Sequence, residues 1–252
     1  MAGVAWAVDR LDLDQERKGA NVRKGPILSL LAAVSLLGIC PVAQAAAPAM
    51  PSTYEGLVKV ESKKLSEVYL LPDTDFRGYT KVMIDPVQVS FHKDWMKNMN
   101  RGRGASRRIN SQDAQGIADA MRSGFEGIFT AAFETKGYQV VTAPAPDVLR
   151  LSPAVVNLYI NAPDPMGAGG GRTYTVEAGE ATLTLAARDS TTGALVGVAL
   201  DRSRTRGSGR PTVASSVSNR SEFEELFKRW ADICVKGLDE LKARPQTAKP
   251  AG

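Results

Sequence analysis

Hydrophobic and polar residues alternate along some stretches of this chain and recur every three or four residues along others. The two periods divide it into strands and helices. Residues 81–91 form the first strong strand, with apolar side chains on even positions (Val82, Ile84) and then on odd ones (Val87, Val89, Phe91). A one-residue slip turns every later side chain to the other face, so a bulge at Asp85-Pro86 is the simplest repair. Proline within a strand also points to an edge or a bulge. A second slip is expected at Ser152-Pro153, with Leu149 and Leu151 before it and Val156, Leu158 and Ile160 after it. Residues 173–189 read as a half-buried strand carrying Ala181, Leu183, Leu185 and Ala187 on one face. It turns through Ser190-Thr191-Thr192-Gly193 into a strand over 194–201, which makes a hairpin.

Two helices complete the pattern. Residues 111–136 carry Ile117, Met121, Phe125, Ile128, Phe129, Ala132 and Phe133 on one stripe, Gly137 stops them, and a short strand follows over 138–142. The last helix is expected to start at a capping box of Ser221 and Glu224. Its stripe is Phe223, Leu226, Phe227, Trp230, Ile233, Cys234, Leu238 and Leu241. This order of elements predicts an α+β fold: a bent, mostly antiparallel sheet with two main helices packed on one face.

The N-terminal residues follow a different logic. Arg23-Lys24-Gly25-Pro26, the apolar run over 27–39 and Ala43-Gln44-Ala45 are the three parts of a secretory signal peptide. The run is shorter than the roughly 20 residues a membrane-spanning helix needs. Cleavage between Ala45 and Ala46 is the expected processing and leaves 207 residues. Asp9, Asp12, Asp14 and Glu16 do not suit a signal n-region, so residues 1–21 read as a mis-assigned extension with translation starting near Val22. Leu37-Gly38-Ile39-Cys40 resembles a lipobox and makes Cys40 a candidate lipidation site. The bulk of Ile39 disfavours that route, and soluble release after Ala45 is expected. Residues 46–53 read as a flexible leader, 54–243 as a single domain and 244–252 as a disordered tail. No second long apolar run follows, so no transmembrane helix is expected in the mature chain.

Composition narrows the chemistry. The chain is 43% hydrophobic and 23% charged, as globular proteins are, and its net charge of +5 is a mild basic excess. Residues 1–45 hold five basic and four acidic residues, so the mature chain carries +4. One histidine (His92) and two cysteines (Cys40, Cys234) are too few for most zinc, haem or iron–sulfur sites, and no metal or cofactor is expected. Cleavage would leave Cys234 alone, without a disulfide partner.

The remaining candidates are carboxylates and cations. Asp73 and Asp75 sit in a turn-like loop, Asp85 with Pro86 marks the expected bulge, and Glu177 and Glu180 lie near a glycine. A hydrolase would need two such groups to converge, with His92 as a further candidate base. Ser106 and Ser208 lack the Gly-x-Ser-x-Gly setting of an esterase nucleophile. The glycine run over 167–171 leads into strand residues rather than a helix, which reads as a loop and not a phosphate cradle. Two basic segments stand out. The first holds Lys93, Lys97, Arg101, Arg103, Arg107 and Arg108, interleaved with Trp95, Met96 and Met99; the second holds Arg202, Arg204, Arg206 and Arg210. Such clusters suit phosphates or carboxylates on a partner.

The segment Tyr79-Thr80-Lys81-Val82-Met83-Ile84-Asp85-Pro86-Val87-Gln88-Val89 resembles the opening strand of DUF3313, a family of uncharacterised bacterial envelope proteins, many of them lipoprotein-like. Tyr138-Gln139-Val140-Val141, Val148-Leu149-Arg150-Leu151, Gly179-Glu180-Ala181, Asp189 with Thr192-Gly193, and the final helix with Trp230 extend the likeness over about residues 54–243. The resemblance implies an envelope protein and no assigned catalytic or binding residues.

These readings converge on an exported, non-catalytic interaction module, periplasmic or associated with the outer membrane. Its expected partner is an envelope protein, a lipid or lipopolysaccharide, not nucleic acid, which an exported protein seldom meets. The alternative is a periplasmic hydrolase using carboxylates around Asp85.

Overall fold

A computed structural model describes residues 54, 56–163, 174–207 and 209–244. The signal segment with Cys40, Ala45 and Ala46, the leader over 46–53, the glycine run over 167–171 and Ser208 lie outside the described residues, as does the tail beyond Arg244. In chain order the strands and helices are β1 (Val58–Val60), β2 (Glu67–Leu70), β3 (Lys81–Ile84), β4 (Gln88–Phe91), α1 (Trp95–Asn100), α2 (Ser111–Thr135), β5 (Gln139–Val140), β6 (Val148–Ile160), β7 (Tyr174–Thr175), β8 (Gly179–Asp189), β9 (Leu195–Arg204), β10 (Thr212–Val213) and α3 (Ser216–Ala243).

One mixed sheet runs in the order β1-β2-β9-β8-β6-β3-β5, with β4 also paired to β6; β7 and β10 form a separate ribbon. The half from β1 to β6 is antiparallel, whereas β3, β4 and β5 run parallel to their neighbours. The fold is the expected α+β arrangement. Aromatic stripes of α2 (Phe125, Phe129, Phe133) and α3 (Phe223, Phe227, Trp230) meet each other and the sheet residues Leu149, Leu151, Val155 and Leu183 in one apolar cluster. Among the described residues no helix is long and apolar enough to cross a membrane.

The parity slip in residues 81–91 has the expected cause. Ile84 pairs with Leu151 and Gln88 with Ala154, so four steps along β3–β4 match three along β6 and one residue is extra. The second slip is not at Ser152-Pro153. Strand β6 runs straight through Pro153, and its extra residue is Asn157, at φ 52°, between Val156 and Tyr159. Proline fits mid-strand because of where its missing N–H would point. The Leu151 carbonyl accepts from the Asp85 amide, so by alternation residue 153 faces the same edge, opposite the break between β3 and β4.

The last helix also starts earlier than the sequence suggests. Ser215 is the N-cap and exchanges bonds with Ser218 in a capping box, and Ser221 lies inside the helix. Inside the helix, the Glu222 carboxylate accepts from the Ala178 amide at 2.8 Å and from Thr205 Oγ1 at 2.9 Å, tying α3 to the start of β8 and the end of β9.

Candidate functional site

Asp85 sits in the break between β3 and β4, only 7% exposed. Arg150 and Ser152, two residues apart on β6, share one face of the sheet and converge on it. Arg150 Nε lies 3.0 Å from each carboxylate oxygen, an Arg150 terminal nitrogen donates at 2.9 Å, and Ser152 Oγ donates at 2.5 Å. Pro86 follows at the bulge. The carboxylate is thus saturated by a fork and a hydroxyl, which closes the gap in the sheet. His92 is at the far end of β4, and the strand's length, roughly 13 Å, lies between them. The His92 ring accepts from the Asp94 amide at 3.3 Å and packs edge-on against Tyr159. Asp85 and His92 are therefore not brought together.

The other carboxylates are similarly engaged. Asp75 caps a short turn and forks onto Arg77 at 2.9 Å. Asp73 occupies a turn at φ 61°. Glu180 stands opposite Arg204 across the β8–β9 pair and takes Arg202 at 2.7 Å and Arg204 at 3.5 Å. The second basic segment is partly neutralised by this carboxylate. Arg206 is exposed, and Arg229 donates to the Arg204 carbonyl at 3.2 Å. Burial, and then the charge of Arg206, hold Arg229 below its ordinary pKa. Among the described residues no group of three His, Cys, Asp or Glu side chains is placed to hold a metal ion.

The first basic segment is built differently. Trp95, fully buried, stacks on Phe91 with ring centres 4.1 Å apart and donates its indole N–H to the Ile160 carbonyl at 3.0 Å. Asn100 then brackets Ile109: its Oδ1 accepts from the Ile109 amide at 2.7 Å, and its Nδ2 donates to the Ile109 carbonyl at 2.8 Å. With Ile109 itself buried, the chain is pinched shut at both ends, and residues 101–108 project as a closed loop. Arg101, Arg107 and Arg108 are exposed, and Arg103 reaches across the loop to the Arg107 carbonyl at 3.4 Å. No ion pair among the described residues involves Lys93, Lys97, Arg101, Arg103, Arg107 or Arg108. The loop leads directly into the N-terminus of α2, which Asn110 caps and whose first turn carries Asp113.

Two features carry no simple sequence signal. Asp201 is buried and accepts from Trp230 Nε1 at 2.8 Å, Ser203 Oγ at 2.6 Å and Ser66 Oγ at 2.9 Å, locking α3 to β9. A cavity of about 440 Å³ lies between the C-terminal half of α3 and the β2–β9 side of the sheet. Burial of Cys234 on its wall, with the Asp201 charge as a smaller cause, pushes that thiol up to about 12.

A family model described as protein of unknown function (DUF3313) matches residues 47–233. No curated protein matches the chain. Among solved structures, the PelC dodecamer from Paraburkholderia phytofirmans is 16% identical, with 71% of this chain and 98% of that one covered and a TM-score of 0.31. Protein XCC0632 from Xanthomonas campestris, of family DUF330, is 13% identical over 62% of this chain and 82% of its own, with a TM-score of 0.36. The DUF4136 family protein BT2437 from Bacteroides thetaiotaomicron is 11% identical over 73% and 98%, with a TM-score of 0.29.

Proposed function

The chain belongs to the DUF3313 family of proteins of unknown function, and from that premise we propose that it is an exported cell-envelope protein that works by contact, its 93–108 segment meeting an anionic envelope surface. The observation that carries this reading is the contrast between the two basic segments. Glu180 answers Arg202 and Arg204, whereas six cations at 93–108 have no acidic partner among the described residues. Keeping like charges together on a loop clamped at both ends costs repulsion that an anionic partner relieves. The signal-like residues 23–45 support the envelope location.

The test is vesicle flotation of the purified protein. Phosphatidylglycerol vesicles should carry it at low salt, phosphatidylcholine vesicles should not, and raised salt should release it. Each basic residue near such a surface contributes about 1 kcal/mol, so changing Arg101, Arg103, Arg107 and Arg108 together to Gln should weaken partitioning on the order of a hundredfold or more. Equal binding to both vesicles, or unaltered binding by the Gln variant, would sink the contact role. In the host, a mature N-terminus at Ala46 read by mass spectrometry checks the export.

A further inference from the structure

The cavity beside α3 falls within the range of roughly 300–1,000 Å³ that small-molecule sites occupy. Its inner wall is apolar: Phe133 from α2, Leu149 and Leu151 from β6, Leu185 from β8, and Leu238 and Leu241 from α3. The space arises where both walls carry small residues. On the sheet side Leu185 pairs with Ala199, and Ala187 pairs with Gly197, over which the Leu70 side chain packs. Opposite them Gly237 interrupts the apolar stripe of α3, three residues after Cys234 and four before Leu241.

Gly237 carries the point furthest. A glycine inside a helix is unfavourable, and close packing is the usual reason to keep one. Packing does not require it here, because a Cβ added at Gly237 would meet no atom within 4 Å. The omitted side chain leaves open volume where a leucine would close the core. At the mouth stand Glu61, Lys63 and Lys64 from the β1–β2 loop with Glu240 from α3 and Arg244 at its C-cap. Lys64 and Glu240 pair at 2.9 Å and cancel. Lys63 and Arg244 then face a single further carboxylate, Glu61, and have no ion-pair partner among the described residues.

An apolar interior with a cationic excess at its rim is complementary to one class of molecule. We propose that this cavity binds an amphiphile with a single acyl chain and an anionic head group, the chain lying against Gly237 and the head at Lys63 and Arg244. This site is separate from the 93–108 loop.

Titration calorimetry of the full-length protein with dodecanoate, below its micelle concentration, tests the proposal. Dodecanoate should bind, and dodecyltrimethylammonium should bind at least tenfold more weakly. Gly237→Leu should lower dodecanoate affinity at least tenfold without lowering the melting temperature, while Gly237→Ala should stay within about threefold of the parent. Should Gly237→Leu prove unstable, Ala199→Leu adds bulk from the opposite wall and should give the same loss. The variant with Gln at Arg101, Arg103, Arg107 and Arg108 should bind dodecanoate as the parent does. Absence of binding to the parent overturns the proposal. So does equal affinity for the two head groups, parental affinity in a folded filling variant, or loss of dodecanoate binding in the Gln variant.

Discussion

Replacing Asp85 by Asn separates a structural role from a catalytic one. The substitution keeps size and one carbonyl oxygen but removes the charge that Arg150 and Ser152 satisfy. In the parent, Arg150 makes a fork to the carboxylate with contacts of 2.9–3.0 Å, and its side chain is 26% exposed. Removing one partner of a fully buried pair costs about 3–5 kcal/mol, because the other charge is left uncompensated. Arg150 retains some water, which places Asp85→Asn nearer the lower end, at about 3 kcal/mol. For a domain of this size that is a drop in melting temperature of about 6–12 °C. Urea denaturation at neutral pH measures it directly, with Arg150→Gln and the double variant closing the cycle. The double variant should lose less than the two single losses combined, since each removes the same contact. A change within about 0.5 kcal/mol for Asp85→Asn, which is the range of ordinary surface substitutions, would refute the assignment and return Asp85 to the candidate catalytic groups.

Asn100→Ala removes both bonds to the Ile109 backbone and leaves a buried amide and carbonyl unpaired; a loss of about 1–3 kcal/mol in urea melts is expected, with amide exchange rising across 101–108. Gly237→Ala should stabilise α3 by about 0.5–1 kcal/mol, seen as a raised urea midpoint, because the added methyl meets open space. Asp189 is held well below the usual carboxylate range, first by the Thr191 hydroxyl and then by the Thr192 amide, with Tyr79 also donating. A depressed folded pKa gives stability that is present above the unfolded value of about 3.9 and lost as pH falls through the folded one. Asp189→Asn should therefore be destabilising at pH 7, and the difference from the parent should shrink below about pH 4; a constant difference across that window contradicts the assignment.

Much of this fold was legible because side-chain period reports directly on burial. The stripes of α2 and α3, the β8–β9 hairpin and the extra residue at Asp85-Pro86 all announce themselves as runs or slips of parity. The second slip was misplaced because Pro153 looked like the natural break. A proline's fitness for a strand depends on which edge its nitrogen faces, and that edge is set by β3 and β4, some 65 residues earlier in the chain. The start of α3 was hidden by two candidate serine caps six residues apart, and only the bonds that Ser215 exchanges with Ser218 show which one operates. Clustered cations were visible in both basic segments. Their difference was not, since it rests on Glu180 standing across a strand from Arg204. A cavity made by Gly237 facing Ala187 and Ala199 is likewise a property of two walls and cannot be read from either alone.

Strand β6 has a consequence for how the chain acquires its shape. Its partner β8 follows it in sequence and is continued by the tight hairpin to β9, whereas β3 and β4 must return across α1 and α2 to run parallel beside it. The β6–β8–β9 part closes over the shorter separations and should form early; the parallel strands, and the β2–β9 pairing that joins Glu67 to Leu200, must first fix long intervening segments. Two independent half-sheets are zipped together along a single strand, and the bulged residues on either side keep them in step. Amides of β6 around Val155, bonded within both halves, should be the slowest in the sheet to exchange with solvent, and those of edge strand β1 the fastest. The sheet thus has a spine in the middle of the chain, laid down with the hairpin and the last part of the sheet to open.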